Sequence, residues 1–339
     1  MIDALEPSLK HWPFLSGMTA ARIDGGLINT TWSVGQPPVA VVQQLSPIFS
    51  PAVHRDIEAI TAHVAAKGIT TPRLLRTAEG DLFHTDSEGV TWRCMNWIPG
   101  VSHHRILDAD MAEQAGGLVA RWHGAVEDLE HAFAFSRPEA HDTPLHMQFV
   151  EGALNAHAEH RLLADVEPVA QAILKAWGAW DGDLHGSLRI CHGDLKVSNI
   201  RFSASGEALC LLDLDTLSFL PLEVELGDAF RSWCNASDEN TTDVSFDANL
   251  FEAGVRGYER FRPLGSEMKQ RLVLGVERIC LELAARFCAD ALNESYFGWD
   301  ASVAPSRGDH NLLRAKGQLA LAMEVREQRK ELELRLGLR

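Results

Sequence analysis

Residues 192–199 read HGDLKVSN, and residues 211–216 read LLDLDT. The first segment carries the carboxylate of Asp194 and the amide of Asn199, and the second carries the carboxylate of Asp213. Short strand patterns on either side of a Ser-Gly turn separate the segments, so a hairpin brings the three side chains together. Hard cations prefer carboxylate and amide oxygens, and phosphoryl transfer needs a cation and a residue that orients the nucleophile. The pattern therefore predicts a phosphoryl-transfer site.

The chain on either side of these segments divides by its hydrophobic periodicity. Before residue 99 the pattern is mostly extended, with a Gly-Gly turn between two strand-like runs and one amphipathic helix over residues 53–67. Beyond residue 100 the apolar spacing is helical almost throughout, most clearly over residues 109–129 and 267–292. The sequence therefore predicts an α+β protein with a small mixed α/β lobe followed by a larger, mainly α-helical lobe.

Composition excludes several classes of protein. The 339 residues include 31 Lys and Arg against 47 Asp and Glu, a formal charge of −16 that disfavours binding to nucleic acid. The six cysteines form no close pair, which argues against a zinc site and favours a reducing compartment. No export signal and no apolar run long enough to cross a membrane is recognisable, so we expect a cytoplasmic protein without membrane association.

The two motifs resemble those of a known superfamily. HGDLKVSN is similar to the catalytic loop of the aminoglycoside phosphotransferase and choline kinase superfamily, and LLDLDT is similar to its metal-binding segment. Further segments resemble the branch typified by N-acetylhexosamine 1-kinases: GGLINTTW, VVQQLSPIF, ELGDAFRSW and HNLLRAKGQL. The resemblance covers nearly the whole chain. It implies a protein-kinase-like bilobal fold, with an N-terminal nucleotide-binding lobe over residues 1–99 and a C-terminal catalytic and acceptor-binding lobe over residues 100–339.

The resemblance also implies roles for the residues of both motifs. Asp194 becomes the catalytic aspartate that holds and deprotonates the acceptor hydroxyl. Lys196 lies where a point charge reaches the γ-phosphate of ATP. Asn199 and Asp213 become the Mg²⁺ ligands, and Asp215 is a candidate for either the metal or the acceptor.

Other candidate residues lie outside the two motifs. For the acceptor, the candidates are Arg231, Arg286 and Tyr296. Asp228 is expected to support the catalytic loop, and His192 is expected to be a hydrogen-bonded scaffold. For the nucleotide, the candidates are Gly25 and Gly26 in a covering turn, Asn29 beside it, Gln43 in the third strand, and Asn96 and Trp97 in the connection between the lobes.

Residue 43 is a departure from the usual kinase pattern. A kinase normally carries a lysine in its third strand, and here the residue is Gln43, which supplies hydrogen bonds but no charge. The helix acid that would pair with such a lysine, Glu58, is therefore expected to be a surface residue without a partner.

Three hypotheses for the function follow. The first is a kinase that phosphorylates a small-molecule sugar, at the anomeric hydroxyl of an N-acetylhexosamine or a related sugar. The second is a phosphotransferase for a cationic acceptor, an aminoglycoside or a choline-type amino alcohol, which would require carboxylates or an aromatic cage. The third is a non-catalytic nucleotide-binding pseudokinase, which rests on Gln43. The sequence leaves the oligomeric state undetermined.

Overall fold

The computed structural model describes residues 5–23, 28–137, 139–237 and 239–338. Gly25 and Gly26, predicted to cover the nucleotide, lie outside these residues. The described N-terminal elements are α1 (Glu6–Leu9), β1 (Ala20–Ile23), β2 (Thr30–Val34), β3 (Ala40–Gln44), α2 (Val53–Ala66), β4 (His84–Thr85) and β5 (Thr91–Asn96). The strands form one antiparallel sheet in the order β1-β2-β3-β5-β4.

The N-terminal sheet has one face covered by the start of the chain. Trp12 and Leu15 pack there against the inward residues of three strands, Trp32, Val42 and Trp92 among them. On α2, the apolar residues at helical spacing are buried in the larger core, as predicted; they are Val53, Ile57, Ile60 and Val64. The start of the chain therefore covers one face of the sheet, whereas α2 belongs to the core of the helical part.

The C-terminal part of the chain is mainly helical. Its elements are α3 (Ala109–Val126), α4 (Thr143–Ala156), α5 (Leu163–Gly178), β6 (Leu188–Cys191), β7 (Ile200–Phe202), β8 (Ala208–Leu211), β9 (Ser218–Pro221), α6 (Leu222–Trp233), α7 (Ala248–Glu259), α8 (Ser266–Asn293) and α9 (Arg307–Arg335). The pairs β6–β9 and β7–β8 are antiparallel. Helix α8 is the centre of this part, since α4, α5, α6 and α9 all pack against it.

The structure confirms the predicted α+β class and corrects two local predictions. The run PRLLRT at residues 72–77 predicts a strand, but these residues do not form a full one, because β4 occupies part of the same edge of β5 and leaves room only for short backbone bonding by residues 73–75. The mixed-charge run of residues 324–335 predicts a solvated helix face, but Val325 and Leu332 of α9 are buried there, and Arg326 pairs with the buried Glu277. Over the described residues, no helix is long and apolar enough to cross a membrane.

The predicted boundary after residue 99 stays a prediction. It falls in the segment that leaves β5 and reaches β7, where Val101 and Phe202 exchange two backbone hydrogen bonds of 2.8 Å. A Cβ on Gly100, whose φ is +133°, would lie 2.3 Å from the Phe202 carbonyl oxygen. Glycine is therefore required where this connection crosses the hairpin.

Candidate active site

The catalytic loop begins with a tight backbone turn at the end of β6. Gly193 has a φ of +80°, and a Cβ there would lie 2.4 Å from the carbonyl oxygen of Thr216. The Thr216 hydroxyl donates to the His192 carbonyl at 2.9 Å, and the His192 ring contacts the Leu212 carbonyl at 2.8 Å. The segments 192–199 and 211–216 are thus fastened to each other, and His192 has the scaffold role expected of it.

Helix α6 holds the backbone of this loop from behind. The Glu225 carboxylate accepts from the amides of His192 and Gly193 at 2.8 and 2.9 Å, and Asp228 Oδ2 accepts from Leu195 N at 3.0 Å. One turn further, Ser232 and Trp233 bond the loop as well. Because these side chains recur on one face of a helix, one rigid element positions the whole loop.

Asp194 is bonded to two other side chains of its own loop, one of which, Asn199, was predicted to lie beside it. Its Oδ2 accepts from Lys196 Nζ at 2.6 Å and from Asn199 Nδ2 at 3.0 Å. Among the described residues no donor is directed at Oδ1 of Asp194. One carboxylate oxygen is therefore oriented by the protein, and the other is left for a ligand hydroxyl.

The charges of Asp194 and Lys196 stabilise each other. Burial would raise the pKa of Asp194, but the Lys196 ammonium, with His192 and Arg231 further away, holds that pKa below its ordinary value. Burial would lower the pKa of Lys196, but Asp194 and Asp213 raise it. Since Asp194 is a carboxylate at neutral pH and a weak base, its main capacity is to orient a hydroxyl, with proton transfer late in the reaction.

The environment of Asp213 suits a ligand of a cation. It adopts a left-handed backbone conformation with φ 60° and ψ 65°, and within the described part of the chain no donor bonds its carboxylate. Burial, together with the charges of Asp215 and Asp194, raises the pKa of Asp213. A divalent cation would relieve this excess of negative charge, and Asn199 Oδ1 would be a second oxygen ligand. The donor set therefore fits the predicted Mg²⁺.

Asp215, predicted to bind metal or acceptor, already accepts several hydrogen bonds from the protein. Both terminal nitrogens of Arg93 donate to its two oxygens, one of them at 2.8 Å, and Asn29 Nδ2 donates to Oδ2 at 2.7 Å. Burial would raise the pKa of Asp215, but the Arg93 ion pair keeps it low. Asn29, a predicted nucleotide contact, is thus joined to the metal-binding segment.

Gln43 is bonded within the sheet. Its Nε2 donates to Thr31 Oγ1 at 3.0 Å, and its Oε1 accepts from Arg93 Nε at 2.9 Å. Arg93 is directly opposite Gln43 in the β3–β5 pairing. The sequence analysis missed Arg93, although an arginine in the otherwise uncharged strand TWRCMN is a signal that a buried partner exists.

Asn96 and Trp97 lie at the end of β5, where the chain leaves the sheet. Asn96 Oδ1 accepts from Arg73 N at 2.6 Å, and Trp97 N donates to the Val39 carbonyl at 3.1 Å. The Trp97 ring is stacked by Arg201, whose Cζ is 5.0 Å from the ring centroid. Their predicted contact with the nucleotide remains a prediction.

The expectation for Glu58 is wrong. Its Oε1 accepts from Arg76 at 3.0 Å, and its other oxygen is 3.7 Å from Arg73. The segment after α2 returns beside that helix and supplies both arginines. The partner of this acid therefore comes from outside the third strand.

Arg286 and Tyr296, the predicted acceptor residues, lie together. The Arg286 Cζ is 5.8 Å from the centroid of the Tyr296 ring and 5.5 Å from that of Phe297. Arg137, which the sequence analysis missed, donates to the Tyr296 hydroxyl at 2.9 Å. Neither guanidinium forms an ion pair with any carboxylate of the described residues, so this patch is cationic and aromatic.

Arg231, also predicted to contact the acceptor, is buried and paired. Its guanidinium donates to Asp228 Oδ1 at 3.1 Å and to Glu239 Oε1 at 2.9 Å. Asp228 in turn holds the catalytic loop through Leu195. The acceptor contact stays a prediction, while the structure shows Arg231 positioning Asp228.

A pair between the partly buried His141 and the buried Glu282 lies at the loop, and the sequence analysis missed it. His141 Nδ1 bonds Glu282 at 2.9 Å, and its Nε2 is 3.4 Å from the Gly193 carbonyl oxygen. Burial would lower the pKa of His141, but Glu282 raises it above the ordinary value. Burial would raise the pKa of Glu282, but His141 and other cations lower it to about 2.

Stability is expected to depend on pH through this pair. The contribution of His141 is fully present below pH ~6.5, the pKa of a free histidine, and is lost as the pH rises through the raised folded-state value. We expect His141→Gln to cost about 2 kcal/mol at pH 6, as for a charge-assisted hydrogen bond, and less at pH 9. Melting temperatures of both proteins across this range measure the difference. His104→Gln, at an exposed site, is the control. A loss of stability in His141→Gln that is as large at pH 9 as at pH 6 would contradict the ion pair of His141 with Glu282.

A surface groove lies away from these residues. It has a volume of about 820 Å³ and lies between the start of α3 and the β7–β8 turn, with Asp108, Met111 and Phe202 among its lining residues. None of the predicted site residues lines it. The constellation around Asp194, and not this groove, defines the candidate site.

A kinase-like fold that brings together an aspartate, a lysine two residues further on and an Asn–Asp pair is typical of small-molecule phosphotransferases. Residues 19–264 match the model of the phosphotransferase enzyme family, known as APH. The chain therefore belongs to this family, whose members transfer phosphate to hydroxyl groups.

Solved structures share the fold at low sequence identity. A microcompartment-associated aminopropanol kinase is 16% identical, with 100% of this chain and 99% of that chain covered and a TM-score of 0.65. An amicoumacin kinase in complex with AMP-PNP and Ca²⁺ is 12% identical, with 89% and 87% covered and a TM-score of 0.60. A choline/ethanolamine kinase family protein from Mesorhizobium loti is 19% identical, with 99% of each chain covered and a TM-score of 0.57.

Proposed function

We propose that this phosphotransferase is an ATP-dependent sugar kinase whose acceptor is the anomeric hydroxyl of an N-acetylhexosamine or a related sugar. The observation that carries the proposal is the pair of guanidiniums, Arg137 and Arg286, on Tyr296 without a carboxylate partner among the described residues. Such a patch repels a cationic acceptor. It donates hydrogen bonds to neutral oxygens, and an aromatic ring packs against the apolar face of a sugar.

The roles of the central residues follow from their geometry. Asp194 Oδ1 accepts the hydrogen bond of the acceptor hydroxyl, while Lys196 and Asn199 hold Oδ2 and fix the orientation of the carboxylate. Mg²⁺ held by Asn199 and Asp213 would supply neutralisation of the nucleotide phosphates. Lys196, attracted by both Asp194 and Asp213, offers a positive charge to the γ-phosphoryl group.

The nucleotide is proposed to lie between the sheet and the catalytic loop. Gly25 and Gly26 would cover its phosphates through backbone amides. Asn29, Gln43, Asn96 and Trp97 would contact it from the turn before β2, from strand β3 and from the end of β5. We further propose a reducing, cytoplasmic setting, since all six cysteines are buried free thiols.

A cationic acceptor is the second candidate. The acidic run Asp238-Glu239, followed by Asp243, would attract an amine; the Glu239 side chain is 43% exposed, and Asp238 lies outside the described residues. Two of the structural neighbours are named as kinases of amine-bearing molecules, aminopropanol and choline or ethanolamine. Against it, Glu239 is already paired with Arg231.

An acceptor screen tests the two candidates. Release of ADP from Mg·ATP is measured with N-acetylglucosamine, N-acetylgalactosamine, glucose, an aminoglycoside, choline and 1-amino-2-propanol. We expect turnover with an N-acetylhexosamine and a product whose phosphorus NMR signal disappears on mild acid treatment, as for a sugar 1-phosphate. Turnover confined to an amine would reject the sugar assignment, and no turnover above the acceptor-free rate would favour a pseudokinase.

A variant tests the acceptor patch itself. Arg286→Met is expected to raise the KM for the sugar about tenfold or more, as for loss of a charged hydrogen-bond donor, with the Kd for ADP unchanged. Arg121→Met is the matched control, because Arg121 also stacks on an aromatic ring, that of Phe261, outside the proposed site. An unchanged KM in Arg286→Met would remove this residue from the acceptor site.

A further inference from the structure

Arg93 is a charge buried inside the N-terminal sheet. Its side chain is 1% exposed, and that of its partner Asp215 is 0% exposed. The two form a double hydrogen bond that joins β5 to the turn at Leu214–Thr216, 122 residues further along the chain. The ion pair therefore connects the sheet directly to the segment that carries Asp213.

Two more parts of the N-terminal region converge on the same pair. Asn29 donates to Asp215 at 2.7 Å while its Oδ1 accepts from Ser46 N at 2.8 Å. Gln43 accepts from Arg93 Nε and is itself held by Thr31. The turn before β2, strand β3 and strand β5 are thus all bonded, directly or through Arg93, to one carboxylate of the metal-binding segment.

Stability alone does not account for this arrangement. Removing two charges from water costs several kcal/mol per ion, and apolar residues of the same volume stabilise such a site as well or better. What an ion pair with two parallel hydrogen bonds adds is a defined direction and distance. Here the ion pair fixes the position of Asp215, two residues from Asp213. The same turn carries Thr216, which also bonds the catalytic loop.

We propose that Arg93 is a positioning residue for phosphoryl transfer, which holds the Asp213 turn in place through Asp215 and brings from β5 the positive charge that β3 lacks at Gln43. Asp215 is then the partner of Arg93 and not a ligand of sugar or metal. The proposal goes beyond the sugar-kinase assignment, because it concerns the nucleotide and cation side of the site and holds for any acceptor.

The test uses ADP binding, which needs no acceptor. In the double variant Arg93→Met/Asp215→Leu both buried charges are removed together. We expect its melting temperature to stay near that of the wild type and its Kd for ADP without Mg²⁺ to be unchanged. We expect the factor by which Mg²⁺ lowers the Kd for ADP to be about 10–100-fold smaller than in the wild type, as for other residues that orient metal ligands. Titration calorimetry with and without Mg²⁺ measures both constants.

Single variants and a matched control separate positioning from folding. Arg93→Met and Asp215→Asn are expected to be less stable than the double variant, since each leaves one buried charge unpaired. Arg326→Met breaks the ion pair that joins α9 to the buried Glu277 of α8. It is expected to lower stability without changing the effect of Mg²⁺ on the Kd for ADP. A double variant that keeps the wild-type response to Mg²⁺ would overturn the proposal.

A conservative variant decides the matter if the double variant does not fold. Arg93→Lys keeps the positive charge and loses the two parallel hydrogen bonds. We expect a folded protein in which the Mg²⁺-dependent tightening of ADP binding is reduced. A wild-type response in Arg93→Lys would mean that the fixed geometry has no role, and it would also overturn the proposal.

Discussion

Replacing Asp194 by Asn is expected to reduce kcat about 10²–10⁴-fold, the usual effect of losing a catalytic acid–base group. The amide keeps the size of the side chain, and its oxygen still accepts from Lys196 or Asn199. It carries no negative charge and takes up no proton, so the acceptor hydroxyl is neither activated nor held in line. The measurement is the initial rate of phosphorylation of the best acceptor at saturating Mg·ATP.

Binding should be preserved in this variant. Asp194 is not proposed as a ligand of the nucleotide, and we therefore expect the Kd for ADP to stay within a few-fold of the wild-type value. Asp165→Asn, in the exposed first turn of α5, is the matched control and should be fully active. An Asp194→Asn enzyme whose kcat is within tenfold of the wild type would reject Asp194 as the catalytic aspartate.

Replacing Asp213 by Asn is expected to have opposite effects on activity and on stability. A divalent cation contributes several kcal/mol to phosphoryl transfer, so loss of its carboxylate ligand should reduce kcat by about 100-fold or more at ordinary Mg²⁺ concentrations. Without Mg²⁺, however, the variant should melt at a higher temperature. The raised pKa of Asp213 means that its charge is unfavourable in the folded state at neutral pH, and the amide removes that charge.

Magnesium titration distinguishes this explanation from a general defect. We expect Mg²⁺ with ADP to raise the melting temperature of the wild type more than that of Asp213→Asn. The higher melting temperature of the variant without Mg²⁺ should therefore shrink to a smaller excess or become a deficit. Asp165→Asn again serves as the control for loss of one carboxylate. An Asp213→Asn protein that Mg²⁺ stabilises as strongly as the wild type would show that this carboxylate does not hold the cation.

Local hydrophobic patterns in the sequence predicted much of the fold. Helix α2, expected over residues 53–67, is observed as Val53–Ala66, and the predicted helices 109–129 and 267–292 correspond to α3 and α8. Such helices are visible in the sequence because burial of one face imposes a 3.6-residue period. Residues 72–77 were less predictable, since whether they pair fully with β5 depends on β4, which competes for the same edge.

The same distinction applies to the site. Asp194, Lys196 and Asn199 lie within six residues, and their contacts follow from the conformation of one loop. The acceptor patch and Glu58 depend on partners that the loop does not contain: Arg137 reaches Tyr296, and Arg76 reaches Glu58, from other segments. Here the sequence supplied the residue and the tertiary structure supplied the partner.

The sequence by itself determined the class of fold and the chemistry at the catalytic loop, because closely spaced residues are brought together by local turns and by the regular period of helices. Only the tertiary structure decided how charge is balanced around that loop. The pairs Arg93–Asp215 and His141–Glu282 join residues that are 122 and 141 positions apart. No local pattern links such residues. A charged side chain needs a partner of opposite charge only once folding removes both from water, and the fold decides which residue that is.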